Sequence, residues 1–258
     1  MAETRHQPEP IIQVENLVAE YDSTRVLDGV SFEVQPREVL AIVGTSGCGK
    51  TTLLKHLIGL LVPRAGTVRL WGKDITAMEE DRLDALRARF GVAFQSGALF
   101  NSITAGENVA LAMRERGMDK ELIPILVRLK LSLVGLGDAA EKMPADLSGG
   151  MRKRVALARA LALDPELVFF DEPSAGLDPV TAAGLDRLIL TLRDLLDITV
   201  VVVTHELASI HAIADRVLML AGARIRFLGP LSAVAQADDP VVQQFFRREP
   251  ETLSTPER

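Results

Sequence analysis

The chain has 258 residues, 48% hydrophobic and 25% charged, with a formal net charge of −6 and a single cysteine, Cys48. That length suits one substantial α/β core carrying an insertion. The negative balance argues against a nucleic-acid partner, and a lone cysteine excludes an intrachain disulfide and fits a reducing compartment. The basic clusters Arg152-Lys153-Arg154 and Arg247-Arg248 lack interleaved aromatic residues and read as solvated helix faces. Met1–Pro10 is polar, and the apolar run inside Leu195–Val203 is broken by Asp197 and Thr199. Neither matches a signal core or the roughly 20 apolar residues of a membrane span. The expected location is the cytoplasm, at a membrane only through a partner.

In chain order, Ile11–Tyr21, Val26–Val34 and Gly66–Leu70 alternate as antiparallel strands do, with Gly72 in a turn and Trp71 packing on the hairpin. Tyr21, the only tyrosine, either stacks on a nucleotide base or closes its strand at the surface. Val39–Val43 is a continuous apolar run, as expected of a strand buried on both faces. It leads into Gly44-Thr45-Ser46-Gly47-Cys48-Gly49-Lys50-Thr51-Thr52, which contains the pattern G-x-x-x-x-G-K-[ST]. Glycines there let backbone amides approach phosphates, and the following helix N-terminus favours negative charge. Lys50 is expected to reach the β- and γ-phosphates, and Thr51 to ligate Mg²⁺. Cys48 occupies a variable position, as a small filler or as a redox switch.

Glu79–Phe90 places Leu83, Leu86 and Phe90 on one face of a helix. Gln95 follows Phe94 at the junction with a mostly helical stretch, about 96–150, punctuated by Gly106, Gly117, Gly135 and Gly137. Ser148-Gly149-Gly150 precedes a helix carrying Val155, Ala158 and Ala162, and is a second candidate anion cradle. Sequence spacing leaves open whether this cradle and the phosphate loop meet within one chain or between two. Leu167–Phe170 is a second buried strand, ending in Asp171 and Glu172. Two adjacent carboxylates at such a strand end are costly without a cation, so Asp171 is the expected Mg²⁺ ligand and Glu172 the base for an attacking water. Ile198–Val203 is the third such strand, ending at His205. In open α/β sheets ligands collect at the carboxyl ends of strands, where these three deliver their polar groups. Asp178-Pro179 and Asp239-Pro240 mark helix starts, and the tail after Glu249 reads as loose.

Tyr21, the phosphate loop, Gln95, Leu147–Met151, Leu167–Glu172, Ser174–Asp178 and His205 appear in the order seen in ATP-binding-cassette (ABC) ATPase subunits. The chain resembles that family from about residue 11 to 235. The resemblance implies an α/β P-loop fold: a mostly parallel RecA-like core, an antiparallel β subdomain and the helical insert at 96–150. One ATPase domain would span 11–248, with flexible ends at 1–10 and 249–258. It implies ATP and Mg²⁺, with Glu172, His205 and Gln95 as catalytic residues and Thr51, Gln95 and Asp171 at the metal. Two copies would sandwich two ATP molecules, Ser148 and Gly150 of each facing the other's γ-phosphate. Met151 stands where most members carry Gln. Together with Phe94–Phe100 and Gly176–Thr181, it makes the chain similar to the ATPases of MCE-associated lipid transporters, in particular the Mla-type phospholipid system. That group implies an integral-membrane permease, held through a groove near Gln95–Phe100, an MCE-domain protein and a small STAS-domain protein. The implied place is the cytoplasmic face of the inner membrane. A polar-solute importer ATPase and a non-transport ABC ATPase of cell division are the alternatives.

Overall fold

In a computed structural model the structure describes residues 9–22, 24–95 and 98–248. The expectations for the first eight residues and for the tail from Glu249 lie outside this range. Strands β1 (Ile12–Tyr21) and β2 (Thr24–Val34) form an antiparallel pair, followed by β3 (Val39–Val43) and helix α1 (Lys50–Leu57). β4 (Ala65–Leu70) and β5 (Lys73–Asp74) complete a four-stranded sheet ordered β2-β1-β4-β5, and Gly72 takes a left-handed φ of 71° in the turn between them. Next come α2 (Glu80–Arg87) and β6 (Phe90–Ala93), then α3 (Ala105–Glu115), α4 (Ile123–Leu133) and α5 (Gly149–Ala160). β7 (Leu167–Asp171), α6 (Pro179–Leu196), β8 (Thr199–Val203) and α7 (Leu207–Ile213) follow. The last elements are β9 (Arg216–Ala221), β10 (Arg224–Pro230) and α8 (Pro240–Arg247).

The second sheet is ordered β10-β9-β3-β8-β7-β6, parallel except for β10. Every residue of β3, β7 and β8 is buried, as continuous apolar runs require. Their period of two divides the core. Val39, Ala41, Val168, Phe170, Val200 and Val202 face α3 to α7, while Leu40, Ile42, Leu167, Phe169, Val201 and Val203 face α1, α2 and the antiparallel sheet.

Three expectations need correction. Phe90 does not continue the helical face of Leu83 and Leu86; it opens β6, edge-on to Phe169 with ring centroids 5.6 Å apart. Gly106 does not interrupt a helix but lies inside α3, where an added Cβ would stand 3.0 Å from the Ala140 carbonyl oxygen. Ala162 lies just beyond the end of α5. Gly117 and Gly135 do follow helix ends with positive φ, and Asp178 and Asp239 cap α6 and α8 through their carboxylates. An unforeseen capping box, Thr104 with Glu107, starts α3. Among the described residues every element between β6 and β7 is a helix, and α5 packs on α3 and α4 as well as on β6 and α6.

Register brings the chemistry to one edge. Ile42 pairs with Val203, Val203 with Asp171, and Phe170 with Ala93, so β3, β8, β7 and β6 end nearly level. The polar segments after them emerge side by side.

Candidate active site

Gly44 follows β3 with φ 147°; a Cβ there would stand 2.3 Å from the Leu220 carbonyl oxygen and 2.7 Å from Cys48 Sγ. At Gly49, φ is 105° and a Cβ would meet the Val26 carbonyl oxygen at 2.9 Å. Neither place admits a side chain, so the loop closes tightly on itself and delivers bare amides to α1. Lys50 is buried, and its Nζ donates to the carbonyl oxygens of Gly44 (2.8 Å) and Thr45 (3.0 Å). The ammonium is thereby held over the loop. The Cys48 thiol packs inward, and burial pushes its pKa up against the opposing pull of Lys50, which favours the filler role over a reactive thiolate.

A cavity of about 720 Å³ is lined by Gly44–Gly47, Gly49–Thr52, Gln95, Glu172 and His205, together with Val26 and Phe245. Its size is that of a small-molecule site. Glu172 donates its backbone N–H to the Val203 carbonyl (2.8 Å), and its Oε1 lies 2.7 Å from His205 Nδ1. Its Oε2 is buried without a hydrogen-bond partner among the described residues. One carboxylate oxygen is thus fixed by the imidazole, while the other is buried and unpaired, a polar atom that calls for a partner.

Asp171 closes β7, and burial followed by the neighbouring Glu172 charge raises its pKa, against the pull of Lys50, Lys153 and Lys55. A divalent cation would relieve this cost of paired buried carboxylates. Among the described residues no three His, Cys, Asp or Glu side chains could hold a metal by themselves. A cation at Thr51 and Asp171 would therefore complete its shell with phosphate oxygens and water, the arrangement Mg²⁺ favours. The residues present fit both a triphosphate and its metal.

Three expected participants stand apart. Asp171 lines a neighbouring cavity with Phe94, Gln95, Ala175 and Gly176, so Gln95 borders both. Tyr21 is 45% exposed at the end of β1 and borders another cavity with His56 and Arg64, not the phosphate cavity. Ser148, Gly149 and Gly150 are absent from the phosphate cavity's lining; they cap α5, Ser148 Oγ accepting from the Met151 N–H, beside Leu177 and Thr181. Of the groove expected near Gln95–Phe100, Ser96 and Gly97 lie outside the described residues.

The basic cluster at residues 152–154 is only in part the solvated face expected: Arg152 is exposed, but Lys153 and Arg154 are half-buried. Arg152 donates to the Leu147 carbonyl, Arg154 to that of Val134, and Lys153 Nζ to those of Gln95 and, at 3.1 Å, Glu172. Sequence reading missed Lys153, Val26 and Phe245. The lysine carried a faint signal, five positions after Ser148; the other two carried none.

The sequence pattern described as ABC transporter matches residues 27–175. The MlaF intermembrane phospholipid transport ATP-binding protein of Haemophilus influenzae is 40% identical over 93% of this chain and 91% of its own length. That of Escherichia coli K12 is 42% identical over 85% and 82%. A probable ribonucleotide transport ATP-binding protein of Mycobacterium leprae is 41% identical over 91% of this chain, which spans only 68% of that relative. The structure aligns with a dimeric, ADP- and phosphate-bound ATP-binding cassette, MJ0796, at a TM-score of 0.78 and 29% identity, covering 85% of this chain and 98% of that one. With its phosphate loop, paired carboxylates and histidine on one sheet edge, the chain belongs to the ABC transporter ATP-binding family.

Proposed function

We propose that the chain is the ATP-hydrolysing subunit of a membrane transporter of phospholipids, acting between the inner and outer membranes to maintain lipid asymmetry. It works as a homodimer on a permease, with an MCE-domain protein and a STAS-domain protein in the assembly. The observation that supports this cargo is 40% identity to a phospholipid-transport ATPase across 91% of that protein's length. No helix among the described residues is long and apolar enough to cross a membrane. The lipid-handling part is then the permease, and the chain sits on its cytoplasmic face.

The chemistry assigned to each residue is the one the family resemblance implies for it. Lys50 and the loop amides bind and orient the β- and γ-phosphates. Thr51, Asp171 and Gln95 would hold Mg²⁺, which when bound would supply positive charge to offset that of the phosphates. Glu172 takes the proton of the attacking water while His205 keeps its carboxylate aimed into the cavity. Tyr21 stacks on the base, and Ser148 with the Gly149 and Gly150 amides completes the partner protomer's site.

The test is co-expression with a candidate permease and MCE-domain protein, then identification of extracted cargo and measurement of ATP turnover with and without them. Phospholipid in a stable complex whose turnover exceeds that of the chain alone is expected. A complex that carries no lipid and answers instead to a water-soluble nucleotide would favour the second reading, a polar-solute transporter. That reading draws on the mycobacterial relatives named for ribonucleotide transport.

A further inference from the structure

We infer that Lys153 is a positioning residue for hydrolysis: it clamps the main chain of Gln95 and Glu172 to α5, so that the setting of this helix fixes the catalytic carboxylate. Lys153 lies on the second turn of α5, the helix capped by Ser148. Its Nζ bonds two main-chain carbonyls, of Gln95 after β6 and of Glu172 after β7. Both residues line the phosphate cavity. A single ammonium therefore joins the signature helix to two separate walls of the site.

The backbone at Glu172 shows why such a clamp is needed. Glu172 has φ 49°, a left-handed conformation that a side-chain-bearing residue adopts at a cost. This conformation turns its side chain toward His205 and the cavity. It persists only if its surroundings hold it, and both peptide groups are held. The Glu172 N–H donates to Val203, and its carbonyl accepts from Lys153 and from the Ala175 N–H at 3.2 Å. Two of those three partners are neighbouring main chain within the core; Lys153 alone comes from α5. Because α5 also packs on α3 and α4, a shift of the helical segment moves the ammonium and with it both carbonyls. The same helix presents Ser148 at its N-terminus. Engagement of Ser148 by a partner's nucleotide is thereby relayed to the chain's own base, a regulation resting on the ATPase reading above.

The test compares Lys153→Met, Lys153→Gln and Lys153→Arg in the full chain under saturating ATP and Mg²⁺. Methionine keeps the aliphatic stem and removes the donors; glutamine, one bond shorter, cannot span both carbonyls, whereas arginine retains donors at full reach. Lys153→Met is expected to lower kcat about 10- to 100-fold with KM for ATP unchanged, as misplacement of a catalytic group does. Lys153→Arg restores most of the rate, and the Ala175 amide exchanges hydrogen faster in Lys153→Met than in the native chain. A merely structural lysine would lower the melting temperature and leave the kcat of the folded fraction intact. Lys153→Met with native kcat, or Lys153→Arg as slow as Lys153→Met, would overturn the clamp. If Lys153→Met does not fold, Lys153→Gln and Lys153→Arg carry the comparison, and native kcat in both with native Ala175 exchange in Lys153→Gln overturns it equally. A native chain without turnover would sink the ATPase reading together with the clamp; native turnover unaffected in the variants sinks the clamp alone.

Discussion

At the scale of single residues, the division of labour at Glu172 makes a sharp prediction. One carboxylate oxygen is held by His205 and the other is buried without a partner among the described residues. Glu172→Gln keeps the shape and the contact with the ring but cannot accept a proton. Turnover should fall by about 10²–10⁴-fold, the range for loss of a general base, while ATP binding persists. Gel filtration should then show an ATP-dependent dimer accumulating, and native turnover would remove Glu172 from its role. A second carboxyl, away from the site, carries a pH-dependent prediction. Asp186 on α6 is buried, its Oδ1 has no hydrogen-bond partner among the described residues, and burial raises its pKa despite a bond with Ser209, which in turn meets Ser174. A raised folded value means the native state binds more protons above the unfolded value near 3.9, so this group's contribution falls as pH rises through that window. Asp186→Asn lacks this fall. Its denaturation midpoint should gain on that of the native chain as pH rises from about 4, then run parallel once the native carboxyl ionises. A gap that closes with rising pH would show a buried partner for the charge.

Lys50, Asp171, Glu172 and His205 were legible because each sits at the end of an apolar run whose burial was itself readable. Lys153 was not, since its place within Arg-Lys-Arg, five positions after Ser148, is only a faint signal. Its role depends on three segments, more than fifty residues apart at the extremes, converging in space. At the scale of elements the same contrast holds. Helix starts at Asp178 and Asp239 are local chemistry, and the structure caps both helices there. β6 was hidden because four residues, Phe-Gly-Val-Ala, continue the period of α2. What makes it a strand is tertiary: Gly91 packs against α5 so closely that a Cβ would stand 2.0 Å from the Ala160 carbonyl oxygen. Gly91→Ala must push α5 away from the sheet, because backbone cannot rotate aside. A loss of about 1–3 kcal/mol is expected, as for overpacking elsewhere. Since α5 carries both Lys153 and Ser148, turnover should fall as well. Unchanged thermal stability would show that α5 and β6 separate freely.

At the scale of the whole molecule, the fold keeps the phosphate loop and the candidate anion cradle apart. The phosphate loop and Glu172 share one cavity, whereas Ser148, Gly149 and Gly150 stand outside its lining on the cap of α5. A chain with a phosphate grip and a separate unused anion cradle is completed most economically by a second copy, each cradle meeting the other's nucleotide under twofold symmetry. Spacing in the sequence could not decide this, because it does not say which surfaces are apart. Ser148→Arg places bulk and charge in the cradle without touching the phosphate loop. It should abolish turnover while the isolated protomer binds ATP with near-native affinity. Lys50→Ala should do the reverse, losing the counter-charge and with it nucleotide binding. Mixing the two inactive chains then gives the decisive measurement. In a mixed dimer, the Ser148→Arg chain contributes an intact phosphate loop and the Lys50→Ala chain an intact Ser148. One composite site is whole and the other doubly broken, so turnover should reappear on mixing and vary with the ratio of the two chains. If mixing restores nothing, while Ser148→Arg alone also fails to bind ATP, the cradle serves its own chain and the two-copy arrangement is wrong.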